Sequence, residues 1–180
     1  MGALLFGRGV PRLAWAGAFG GLTPDVPMLV IVLALKLSGV STAHIFGELY
    51  WEDWWQITNA IGHSFVLWTG LLVLGFILHT RATVIFAGSA LLHSCIDFLV
   101  HRDDAHMSLW PITRWKFVSP VSYYDPAHYG FYFSLFEAAL GLCMAALLFR
   151  QYSNWVLRGT LCFAMLIYVA VPAYFIFLRT

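Results

Sequence analysis

Five long apolar runs constrain this chain more than any other feature. They cover roughly residues 13–38, 62–79, 82–100, 130–149 and 155–178. About 20 apolar residues cross ~30 Å of hydrocarbon as a helix rising 1.5 Å per residue. Hydrocarbon offers the backbone no water to bond, so such a run must satisfy its own peptide groups as a helix. The expected fold is all-α: a polytopic transmembrane helix bundle of about five spans with an interfacial aromatic segment, in a single integral membrane domain over residues 1–180. Composition agrees, since 61% of the residues are hydrophobic and 11% charged, where soluble domains carry roughly 25% charged residues.

A net charge of +1 with no basic run or Gly-rich phosphate loop argues against nucleic acid as a partner. Membrane lipids are the expected partners, with a membrane protein as a further one. Cys95, Cys143 and Cys162 sit inside apolar runs without paired spacing, which gives neither a disulfide framework nor a CxxC motif. Arg8 and Arg12, followed by small residues up to Ala16, superficially resemble a signal peptide. The apolar pattern resumes after Pro24 and Pro27, however, and reads as a broken first span. Basic residues near the span ends (Arg8, Arg12, Arg81, Arg150 and Arg158) put one side in the cytoplasm and the Arg179 tail outside.

Ionisable side chains inside these runs are the functional signal, because each costs at least ~2.5–3.5 kcal/mol at the centre of a span. Asp25, between Pro24 and Pro27, breaks the first run and is expected to face inward; the alternative is a proline kink with Asp25 capping the next helix. Residues 39–60 combine Glu48, Glu52 and Asp53 with Tyr50, Trp51, Trp54 and Trp55, a pattern suited to a short amphipathic helix at the headgroup level. Asn59, His63 and Ser64 open the second span. Residues 101–129 are polar, aromatic and proline-containing, so they read as turns that form either a lid over the site or an interfacial belt with no catalytic part, with Arg114 and Lys116 near lipid phosphates.

The densest cluster is LLHSCIDFLVHRDDAH, with His93, Asp97, His101, Asp104 and His106. Positions i, i+4 and i+8 drift by about 40° per step, so His93, Asp97 and His101 form one helical stripe. Neighbours on the stripe are ~6 Å apart along the axis and the outer pair ~12 Å. One ion is therefore held by His93 with Asp97 or by Asp97 with His101, completed from another span or by His106; a two-ion site uses all three. Asp25 and His63 are expected nearby. Glu137, two turns into the fourth span, is expected opposite His93 and Asp97 as a ligand, an orienting partner or a base. Histidine mixed with carboxylate suits zinc first, with manganese or iron as alternatives. The competing account is polar contact between helices without metal.

Pro24 with Asp25, His63 with Ser64, and His93 with Asp97 resemble the motifs of bacterial inner-membrane proteins described as membrane-bound metal-dependent hydrolases. The run WPITRWKFVSPVSYYDPAHYG looks closer to a proteobacterial branch sometimes labelled as cobalamin biosynthesis proteins, although no amidotransferase nucleophile motif or nucleotide loop accompanies it. The chain departs from the pattern in lacking a histidine before Pro-Asp and in keeping only Asn59 and His63 of a longer His-Arg-Gly-x-x-His-Ser. The resemblance implies a multi-pass protein of the bacterial inner membrane. The expected activity is metal-dependent hydrolysis of a lipid or envelope ester or phosphoester, by water activated on the ion with Glu137 or Asp104 as base. A non-enzymatic subunit of a membrane complex, docking through Trp51, Trp54, Trp55 and residues 101–129, is the second expectation, and proton or metal transport the third.

Overall fold

The computed structural model describes residues 11–177, with side chains from 13 to 170. Arg8 and Arg179, used above for topology, lie outside the described residues. All regular structure among the described residues is helical, as expected: α1 Pro11–Leu22, α2 Val26–Leu37, α3 Thr42–Gly47, α4 Asp53–Gly62, α5 Phe65–Ile77, α6 Arg81–Val100, α7 Gly130–Gln151 and α8 Trp155–Phe177. Four segments are long and apolar enough to cross a membrane: Leu13–Leu37, Asp53–Ile77, Arg81–Val100 and Gly130–Gln151. A shorter apolar stretch spans Trp155–Ala170. The chain divides into two compact units, one up to Ser119 and one from Pro120 onward.

In the first unit α6 packs against α1 and α5, and α2 against α4. The residues that become buried are mainly small or polar, among them Ala14, Ala60, Ala87, Ala90, Ser64, Ser89 and Ser94, whereas Leu29, Leu33, Leu37, Phe76 and Ile77 are exposed. That distribution suits helices in lipid, where an apolar exterior costs nothing and small residues let backbones approach. Gly20 lies so close to the Phe86 backbone that a Cβ there would collide with its carbonyl, and Gly62 meets the Pro24 carbonyl in the same way. The second contact joins two breaks. One is the 3-10 turn Thr23–Asp25 between α1 and α2; the other is His63 with Ser64 between α4 and α5.

Residues 39–60 differ from the expected surface helix. They form α3, a 3-10 turn and α4, and they bury Ile45, Tyr50 and Trp55 against Met28, Ile31, Val32 and Leu35 of α2. The second apolar segment starts at Asp53 rather than near 62. Asp53 sits in the first turn of α4, where a carboxylate complements the helix dipole, so the acidic residues mark a helix start within what reads as a surface loop.

Residues 101–119 contain no helix, in keeping with Pro111, and lie across the α4–α5 break. The Phe65 N–H donates to Ser108 O (2.8 Å) and Ser64 Oγ donates to Trp110 O (2.5 Å). Arg114 pairs with Asp53 (2.6 Å) and Lys116 donates to Gln56 Oε1 (2.7 Å), so both cations expected at lipid phosphates have partners on α4.

In the second unit α7 and α8 pack together. Asp125 accepts from the Ala127 N–H (2.9 Å) and from His128 Nδ1 (2.6 Å), and its carbonyl accepts from the Gly130 N–H (2.9 Å). Asp125 and His128 thereby brace the start of α7.

The contact between the two breaks makes a test. Gly62→Ala should cost about 1–3 kcal/mol through overpacking, lowering the thermal midpoint in detergent by about 2–10 °C. Gly21→Ala, whose methyl would meet nothing within 4 Å, should leave the midpoint unchanged or slightly raised.

Candidate metal centre

Three chain features deliver four side chains to one point. Asp25 comes from the turn between α1 and α2. It occupies the N-cap position of α2 yet makes no side-chain capping hydrogen bond, so the capping alternative does not hold. Its carboxylate turns to two histidines, with Oδ1 3.5 Å from His63 Nε2 and Oδ2 3.5 Å from His93 Nε2.

His63 comes from the α4–α5 break. Ser64 N-caps α5 by accepting the Leu67 N–H (3.1 Å), which ends one helix and starts the next around the imidazole. His63 Nδ1 lies 3.0 Å from the Asn59 carbonyl, which can only accept, so Nδ1 carries a hydrogen and Nε2 is the atom presented to the cluster. Asn59 and His63, four residues apart, are the sequence signal for this pairing, and the carbonyl's part in it is invisible to motif reading.

His93 and Asp97 come from successive turns of α6. Asp97 Oδ2 lies 3.0 Å from both His63 Nε2 and His93 Nε2. These distances alone would suit hydrogen bonds, yet both nitrogens are buried and neither meets the directional requirement for one. Ligands bonded to one ion at about 2.0–2.2 Å stand roughly 3.0–3.5 Å from one another, the range observed here. Two carboxylates with two imidazoles at this separation require positive charge, from a proton on each ring or from one divalent cation shared by all four. Two buried ring nitrogens without a hydrogen bond of good geometry, each beside two carboxylates, suit the shared cation. Asp25, His63, His93 and Asp97 thus form a group able to hold a metal ion. His63 is 4% exposed and Asp25 39%, so the cluster is closed on the His63 side and open at Asp25.

A second group, Asp97, His101 and His106, adjoins the first through Asp97. His101 is not on the helical stripe. The segment returning at Ser119 takes the end of α6, with Ser119 Oγ donating to Leu99 O (2.5 Å) and the Ser119 N–H to His101 O (3.1 Å). The helix therefore stops at Val100 and His101 is extended. Its Nε2 nevertheless lies 3.8 Å from Asp97 Oδ2, while Asp104 Oδ2 faces its Nδ1 at 3.1 Å. The His106 ring stacks on His63, with centroids 4.0 Å apart and planes at 19°. Burial pushes the His106 imidazole below the ordinary histidine range. Neutral imidazole is the ligating form.

All six expected ligands therefore belong to one or other group. Glu137, expected opposite His93, is an exposed residue of α7 in the second unit. Cys95, Cys143 and Cys162 are exposed free thiols and also lie outside both groups. Comparison of the chain with known protein families, curated proteins and solved structures found no match.

A ligand that binds only the folded state stabilises it by about 2.7 kcal/mol at a hundredfold excess over Kd. Adding zinc or manganese to chelator-stripped protein should raise its thermal midpoint by several degrees. Asp25→Asn and His63→Ala should each reduce that rise while the proteins stay monodisperse.

Proposed function

We propose that the protein is a metal-dependent hydrolase of the bacterial inner membrane, belonging to the membrane-bound metal-dependent hydrolases that its Pro-Asp and His-x-x-x-Asp motifs resemble. The observation that carries the proposal is the convergence of the His63 and His93 Nε2 atoms with the Asp97 carboxylate, without hydrogen-bond geometry, beside a partly exposed Asp25. A divalent ion with this ligand set is zinc, manganese or iron(II), and when bound it supplies Lewis-acid activation of water and of a carbonyl or phosphoryl oxygen. Two carboxylates and two neutral imidazoles balance its charge, which makes the cluster tolerable in an apolar setting.

The chain's residues divide the remaining work. Asn59 fixes the tautomer of His63, and His63, His93 and Asp97 orient the centre. Asp25, the most exposed of the four, accepts the proton of the attacking water. The water oxygen bonds to the acyl carbon or phosphorus, the bond to the leaving oxygen breaks, and the proton passes to that oxygen. Asp104, behind His101 at Nδ1, acts as a positioning residue. The exposed apolar faces around the unit favour an ester or phosphoester presented by a lipid or envelope precursor. Docking of a partner through Trp51, Trp54 and Trp55 is the weaker account, because Trp55 is fully buried and has no surface to offer.

Purified protein loaded with zinc or manganese should hydrolyse members of a panel of lipid esters and phosphoesters. EDTA should stop the reaction and added metal restore it, and His93→Ala should lower the rate by at least ~100-fold. Hydrolysis that survives EDTA, or no hydrolysis across the panel by metal-loaded protein, would refute the assignment.

A further inference from the structure

The four-residue centre leaves part of the cluster unused. Asp97 Oδ2, already 3.0 Å from both His63 and His93, is also the carboxylate oxygen that His101 Nε2 faces at 3.8 Å. That separation is too long for a hydrogen bond and close to the spacing of two donors on one ion. His106 completes the group, its ring centroid 4.6 Å from that of His101, and the three residues offer ligand atoms within 4.8 Å of one another. Asp104 supplies a separate sign. Its carboxylate stands 3.1 Å from His101 Nδ1, a charge contact on the ring nitrogen other than the one that faces Asp97, and a carboxylate in that place raises the basicity of a ligating histidine.

We infer that Asp97, His101 and His106 form a second divalent-cation position beside the first, with the Asp97 carboxylate common to both. The inference rests on the first centre being a metal site and narrows the substrate of that site. Two ions about 3.5–4 Å apart suit displacement at phosphorus, where both the attacking and the leaving oxygen need stabilising. Asp25, Asp97 and Asp104 against two dications leave net positive charge, which an anionic phosphoester complements and a neutral ester does not. In the hydrolysis the water oxygen bonds to phosphorus, the phosphorus bond to the alcohol oxygen breaks, and the water proton goes to the alcohol.

Manganese(II) binding to chelator-stripped, detergent-solubilised full-length protein tests this, read by stoichiometry and by electron paramagnetic resonance. The wild type should bind two ions per chain, and the six-line signal of isolated manganese should give way to an exchange-coupled multiline spectrum as the second ion binds. The His101→Ala, His106→Ala double variant should bind one ion with an isolated signal. Asp104→Asn, which keeps every proposed ligand and guards against a misfolded double variant, should bind two ions with the second weakened about 10–100-fold. A wild type saturating at one ion with an isolated signal overturns the second position and leaves the first standing. Two ions retained by the double variant, or an unchanged second affinity in Asp104→Asn, also overturns it. No binding at all removes both positions together.

Discussion

Two carboxylates held close together inside an apolar helical unit cannot coexist without compensating positive charge, and the first unit is built around that requirement. Asp25 and Asp97 come from segments 72 residues apart in sequence, and neither has a lysine or arginine partner among the described residues. The neighbours provided are histidines, which act as cations when protonated and as ligands when neutral. His63 has its Nδ1 occupied by a backbone carbonyl and its Nε2 turned inward, the state in which it serves as a ligand.

The helix breaks follow from the same need. An uninterrupted helix presents only side chains at bilayer depth, and its backbone cannot bend towards a neighbour. Breaking the first segment at Thr23–Asp25 and the second at His63 with Ser64 brings two backbones together at Gly62 and Pro24, and the side chains beside them can then meet α6. Gly62 has no Cβ to hold the breaks apart. Ser64 works in two directions, capping α5 and donating to the Trp110 carbonyl, which ties residues 101–119 over the break and sets His106 against His63.

Much of this was legible in the sequence because membrane physics makes its signals loud. Apolar runs of span length force helices, and ionisable residues within them are too costly to be incidental, so Asp25, His63, His93, Asp97, His101 and His106 stand out without any structure. What the residues could not reveal was distance across the fold. The stripe argument placed His101 on α6, whereas Ser119, eighteen residues later, captures the end of that helix and turns His101 out of it. Glu137 stands out by the same cost argument, yet depth along a span says nothing about which helix is the neighbour, and Glu137 lies on α7 of the other unit. The acidic, aromatic stretch before Asn59 read as a surface helix because composition cannot distinguish solvated carboxylates from those that start an apolar helix.

The central claim is that Asp25, His63, His93 and Asp97 are held together by a metal ion and not by protons. Elemental analysis of protein purified without chelators tests it most directly, comparing the wild type with the His93→Ala, Asp97→Ala double variant. The account predicts at least one divalent transition-metal ion per wild-type chain and its loss from the variant. A metal-free wild type, or equal metal in both proteins, would contradict it.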